Sequence, residues 1–356
     1  MPVPRSSVST ESPPLRPILA GQPVRAGLVA LALLLTAGCT SNLSDAPPPT
    51  IEPAQAAVSP PVTVTPPGAV HQLAGHAQTA VFDPATGTLA VLAPGPDGQS
   101  TLSLLTGDQP TRTVTLTPAA TALSADGNGD VLAATRGGYF RVDLDTAKAS
   151  KIEVDGQQDV DFTAIALRAD GNPVLGSADG AVYTLNGEHT VAARLKIFAR
   201  VDSLVTQGNT AVVLDRGQTS VTTVDPSGTR AEQALRAGEG ATTLAADSRG
   251  RVLAADTRGN QLLVFGTSPL ILRQRYPVPA APYGLAGSPG LAWVSQTAAN
   301  TVIGYDLSTG IPVEKVRYRT VQQPNSLAYD DKTGTLYVVS GSGAGVQVIA
   351  HAAGTP

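Results

Sequence analysis

The chain has 356 residues, including 36 Gly and 29 Pro, and its 24 Lys plus Arg against 28 Asp plus Glu give a formal charge of −4. Gly and Pro exceed average usage, so turns are frequent. With 42% hydrophobic and 15% charged residues, the composition supports a sizeable core and excludes a disordered chain or one built on long charged surface helices. The near-balanced charge excludes the basic surface that a nucleic-acid binder needs to displace counterions.

Residues 1–38 are unlike the rest. Arg5, Arg16 and Arg25 precede or open onto a ten-residue apolar run, 26–35, which is too short to span a bilayer comfortably, and Thr36-Ala37-Gly38-Cys39 follow. This is the pattern of a signal peptide over residues 1–38. Small residues just before a Cys resemble the lipobox of bacterial lipoproteins. That resemblance implies that Cys39 is lipidated on sulfur, carries a palmitate-type anchor and becomes the mature N-terminus at the extracytoplasmic face of the cell membrane. Cys39 is also the only cysteine, so an exported chain cannot use it for an internal disulfide. Removing residues 1–38 takes away three Arg and one Glu and leaves a charge of −6.

Residues 39–68 contain Pro47-Pro48-Pro49, Pro53, Pro60-Pro61 and Pro66-Pro67 among Ser, Thr and Ala. Such a stretch reads as a disordered, semi-rigid tether that holds a domain off the membrane. At ~3.1 Å per residue of polyproline geometry it would reach up to about 90 Å.

From residue 69 to 356 the chain repeats a unit of a short apolar strand, an Asp-to-Gly turn, a second apolar strand, another turn and a strand of alternating character. Aligned on one apolar residue per unit, the repeats start at Ala80, Leu123, Leu167, Leu204, Leu244, Leu285 and Leu327. Their spacing is about 41 residues, the size of a four-stranded propeller blade. Asp83, Asp126, Asp170, Asp247 and Asp330 stand three residues after the anchor, with Gln207 and Ser288 in their place in units four and six, and a Gly follows in each unit. Turn geometry alone explains that series, because Asp hydrogen-bonds its own backbone and Gly accepts positive φ. An all-β, seven-bladed propeller is expected, with six or eight blades as the miscounts. The apolar residues 69–74 are expected to close the ring as the outer strand of the last blade, which leaves no open sheet edge.

Inner strands line the channel of such a ring, and alternate residues point at its axis. Two residues before each anchor stand Gln78, Thr121, Ile165, Asp202, Thr242, Tyr283 and Asn325, which are expected to form one ring at a channel mouth. Asp161, Asp202 and Glu239 fall near the starts of neighbouring blades three, four and five and are the weak candidates for an acidic, metal-binding patch. A hard cation such as calcium wants six to eight oxygens, which these undersupply. Of the four histidines, His71, His76, His189 and His351, none has metal-ligand spacing. Gly-x-Ser-x-Gly is absent, and Ser342 in Gly341-Ser342-Gly343 has no neighbouring base in the sequence. No dinucleotide fingerprint is present. No catalytic residue and no cofactor is therefore nominated, and the single Trp293 is expected to pack between blades.

Asn300-Thr-Val-Ile-Gly-Tyr-Asp306-Leu-Ser-Thr-Gly310, with Pro324-Asn-Ser-Leu-Ala-Tyr-Asp330 opening the next unit, resembles the YVTN/NHL-like beta-propeller repeat family over residues 70–352. With the leader and tether, the whole chain resembles actinobacterial propeller lipoproteins of the LppL type. The resemblance implies the fold and a place in the cell envelope, not a chemistry, because propellers host many functions. The leading expectation is a binding or scaffolding module for an envelope protein, glycan or small ligand. The alternative is a metal-dependent lactonase or hydrolase using the rim carboxylates.

Overall fold

The computed structural model describes residues 49–73 and 75–354. The expected signal peptide and Cys39 lie outside the described residues. Seven four-stranded antiparallel sheets succeed one another along the chain as the blades of a propeller. Blade one runs from inner to outer edge as Thr79–Asp83, Thr88–Pro94, Ser100–Thr106 and Arg112–Leu116. The only helical turn among the described residues is the single 3-10 turn Thr297–Ala299, and none of their helices is long and apolar enough to cross a membrane.

Strand position explains the hydrophobic patterning. A second strand is covered on both faces by neighbouring blades, so it reads as a continuous apolar run: Leu89, Ala90, Val91 and Leu92 are all buried. An outer strand has one face in solvent and alternates, as in Thr190–Lys196. The core is accordingly divided into seven clusters, each in the seam between two adjacent blades. Trp293 is fully buried in the second strand of blade six, Leu291–Gln296, and stacks on Tyr329 of blade seven with ring centroids 5.6 Å apart.

The turn aspartates do what their spacing requires. Asp126 Oδ1 accepts the amides of Asn128 and Asp130 at 2.8 and 2.9 Å, and Asp247 Oδ1 accepts those of Arg249 and Arg251, both at 2.9 Å. Where Ser288 replaces Asp, its hydroxyl accepts the Leu291 amide at 3.0 Å and donates to the Leu291 carbonyl at 2.7 Å. Gly250 closes the blade-five turn at φ +77°, a conformation that side chains resist.

Blade seven takes its inner three strands, Pro324–Asp330, Thr335–Ser340 and Val346–Ile349, from the end of the chain and its outer strand, Ala69–His71, from the beginning. Ala69 pairs with Val348 and His71 with Val346. Gly68, at φ +83°, admits the chain to this edge: a Cβ there would collide with the Val348 carbonyl oxygen.

The described part of the expected spacer differs from a free-standing stalk. Residues 50–67 lie along the propeller as a strap, fastened at the face on which the inner strands begin, which we call the upper face. The Ile51 amide donates to the Gly217 carbonyl at 2.7 Å, and Arg258 donates to the Glu52 carbonyl at 2.7 Å. Arg216 donates to the Ala54 carbonyl, and the Ala54 side chain is buried. The buried Ser59 donates to the Thr297 carbonyl at 2.5 Å and accepts from the Gln323 amide at 3.1 Å. Asn300 donates to the Pro60 carbonyl and Gln347 to the Pro67 carbonyl, at 2.7 and 2.8 Å. Proline explains the mechanism. It leaves carbonyls with no intrasegment partner, and side chains of blades four to seven satisfy them, from loops except for Gln347 in the strand Val346–Ile349.

Candidate functional site

The channel has two mouths of similar size lined by different side chains. The upper cavity, about 400 Å³, is lined at its rim by Gln78, Thr121, Thr163, Asp202, Thr242, Tyr283 and Asn325. The lower cavity, about 420 Å³, is lined mainly by residues with apolar side chains, among them Phe82, Ala125, Leu167, Ala246 and Tyr329, with Ser124 and Thr206 beside them. Both share an apolar collar that includes Leu123, Ile165, Leu204, Leu285 and Leu327.

All seven residues expected in the ring line this cavity, but in blade three Ile165 sits one layer deeper than the other six and Thr163 occupies the rim. In blade two the inner strand has a register shift between Ala120 and Ala122, and in blade three the same shift falls between Phe162 and Ala164. Thr163 is thus the counterpart of Thr121, and Ile165 is the counterpart of Leu123 in the collar, one layer deeper. The anchor chosen in this unit, Leu167, lies two residues too late. Ile165 and Leu167 are both apolar and both on the same side of the strand, so alternation alone does not separate them.

The rim is mostly neutral and bears hydrogen-bonding groups. Some of it is structural. Thr121 Oγ1 donates to the Phe162 carbonyl at 2.8 Å and Thr163 Oγ1 to the Val201 carbonyl at 2.6 Å, each tying a blade to the start of the next. Thr242 Oγ1 shares a 2.6 Å bond with Thr257 Oγ1, which also reaches the Pro282 carbonyl at 2.6 Å. These hydroxyls keep lone pairs free to accept. Asn325 Oδ1 accepts from Gln323 at 3.0 Å. Gln78 is exposed, and Tyr283 is partly exposed over the cavity.

Asp202 is the carboxylate of the rim, and its side chain is only 12% exposed. Oδ2 accepts the Arg216 amide at 2.9 Å, and Oδ1 lies 3.3 Å from Arg200 Nε. Burial pushes its pKa above the ordinary carboxyl value, while the Arg216 amide and the Arg216 and Arg200 charges pull the other way. Arg216 lines the same mouth and its other end holds the strap, so the rim and the strap meet at this residue.

The three carboxylates expected as an acidic patch do not converge. Asp161 is exposed and pairs with Arg136 at 3.1 Å, Asp202 is held by Arg200 and Arg216, and Glu239 is an exposed loop residue whose carbonyl accepts from Arg258 at 3.3 Å. Among the described residues no three His, Cys, Asp or Glu are grouped to hold a metal ion. Ser342 Oγ lies 3.2 Å from Ser340 Oγ and 3.4 Å from the Gln322 carbonyl, in a hydroxyl and carbonyl environment with no base in these contacts. His76 Nδ1 lies 3.2 Å from the Gly341 carbonyl and His189 Nδ1 3.1 Å from the Glu153 carbonyl, and both contacts are at exposed positions.

The fold is shared with solved structures. A streptogramin B lyase is similar at 10% identity and TM-score 0.64, covering 78% of this chain and 96% of that one. A U3-55K structure is similar at 11% identity and TM-score 0.66, over 79% and 97% of the two chains. A chain of a mitotic checkpoint complex matches at 13% identity and TM-score 0.66, over 85% and 99%. No family model and no curated protein matches the sequence. At these identities the likeness is one of fold: the chain is a seven-bladed β-propeller.

Proposed function

We propose that this protein is a lipid-anchored component of the cell envelope whose propeller binds an envelope protein, glycan or small ligand at its upper mouth. The observation that carries the reading is the rim itself: hydroxyl, amide, phenol and carboxylate groups, one from each of the seven blades, surround a cavity of about 400 Å³ floored by an apolar collar. A concave site with an apolar body and a few convergent polar groups is the usual form of a binding pocket. Cys39, alone in the sequence after an apolar run and small residues, supports the anchor, as does the resemblance to propeller lipoproteins.

The test is to measure binding of envelope glycan fragments and purified envelope proteins to the wild type and to Gln78→Trp and Tyr283→Ala. Wild-type binding that falls at least about tenfold, or ~1.4 kcal/mol, in either variant supports the upper mouth as the site. Equal binding by all three proteins, or turnover of lactones or esters at enzyme-like rates, overturns the reading. Fatty-acid labelling of the wild type and its absence in Cys39→Ala tests the anchor separately.

A further inference from the structure

The strap fixes where an N-terminal anchor can reach, and this carries more than a location. Its first fastening is the Ile51 amide on the Gly217 carbonyl, followed by Arg258 on Glu52 and Arg216 on Ala54. Thr50 is packed here as well: a Cβ on Gly217 would lie 3.2 Å from its methyl group. All of these contacts are made by loops that join the second and third strands of blades four and five, so the chain leaves the propeller from the upper face. Only twelve residue steps separate Cys39 from Ile51. A fully extended chain covers at most ~3.3–3.6 Å per residue, so the link cannot exceed about 40 Å. The stand-off of about 90 Å expected from a free tether of residues 39–68 is therefore cut by more than half.

From this we infer that the upper face is the membrane-facing surface of the protein and that its channel mouth opens toward the lipid headgroups. The inference rests on the lipid anchor proposed above. An inner strand of six residues gives the ring a height of about 20 Å. A body of this size has a radius of gyration of about 19 Å. To present the lower face to the bilayer, the link would have to run about 10 Å outward past the outer strands and then about 20 Å down the ring, a detour that takes up most of its reach. With the upper face down, no detour is needed. The occupant of this surface is thus the bilayer, and a ligand of the upper mouth is one displayed at the bilayer surface rather than one approaching from the outer side of the propeller.

The experiment uses the full lipidated chain in phosphatidylcholine–phosphatidylglycerol vesicles that carry a headgroup energy acceptor. With Cys39 capped by lipid, one introduced thiol can be labelled selectively. Ala298→Cys places a donor on the upper face of blade six, where Ala298 is exposed, and Gly290→Cys places one on the lower face of the same blade, where an added Cβ meets nothing within 4 Å. The expected result is stronger transfer from position 298, corresponding to a probe about 20 Å nearer the lipid. Equal transfer, or stronger transfer from position 290, in protein retained on the vesicles overturns the orientation and leaves the anchor standing. Failure of the wild type to be retained, or retention of Cys39→Ser to the same extent, overturns the anchor and the orientation with it. A twenty-residue Gly/Ser insertion before Thr50 is expected to shrink the difference between the two probes, and an undiminished difference counts against the short link as its cause.

Discussion

The two mouths of one channel are built from the two ends of the same inner strands, yet they differ in kind. The lower mouth is lined largely by Ala, Leu, Phe and Tyr and is ringed by Asp-to-Gly turns that recur because hairpin geometry demands them. The upper mouth carries a different side chain in most blades, an arginine, a half-hidden carboxylate and a strap fastened at its rim. Repetition marks the end that holds the blade together, and departure from the repeat marks the end where a ligand can be told from its neighbours.

That contrast can be broken most severely through the packing both mouths depend on. Trp293→Ala empties a fully buried site in the seam between blades six and seven and is expected to cost about 3–5 kcal/mol in urea unfolding. A loss under about 1 kcal/mol would contradict the division of the core into interblade seams. Next in size, Asp247→Ala removes a nearly buried turn carboxylate that accepts two amides and pairs with Arg251, which is 15% exposed. About 3 kcal/mol is expected. Asp126→Ala, in a more open turn of the same design, should cost only about 1 kcal/mol. Equal effects would mean that burial does not set the weight of these turns.

Smaller effects distinguish the rim and the strap. Asp202 has its folded pKa raised by burial, so its ionised form is less favoured in the native state than in the unfolded chain, where the value is near 3.8. The stability it contributes is fully present below that value and is lost as pH rises through the folded pKa. Unfolding curves of the wild type and Asp202→Asn across the acid range should therefore show the wild type losing ground to the variant as pH climbs past 3.8. A shift in the opposite direction would mean that Arg200 and Arg216 outweigh burial. Ser59→Ala deletes one donor and one acceptor that pin the strap, a local loss of about 1 kcal/mol. Amide exchange should quicken over residues 50–60 without a matching drop in global stability. Unchanged exchange there would refute the strap as a locally fastened element.

How much of this was legible follows from the range of the interactions. The turns could be read because Asp247 and the amides it holds lie within four residues. Blade count followed from the same short signals repeated seven times. Blade three was misaligned because Ile165 and Leu167 satisfy alternation equally, and the register shift at Phe162 that decides between them leaves no mark on composition. Thr163 was missed for that reason, although the uneven spacing of the anchor residues around Leu167 hinted at it. The strap was illegible for a different cause. Its proline-rich sequence has no period, and its partners, such as Arg216 for Ala54 and Gln323 for Ala57, lie 162 and 266 residues away and recognise carbonyls that every residue carries.

The most direct measurement of the central claim is photocrosslinking in the intact cell envelope with a photoreactive phenylalanine placed at Gln78 on the upper mouth or at Ser124 on the lower. Specific adducts from position 78, competed away by the ligand found in the binding assays, and none from position 124 are the predicted result. Adducts confined to position 124 would contradict it.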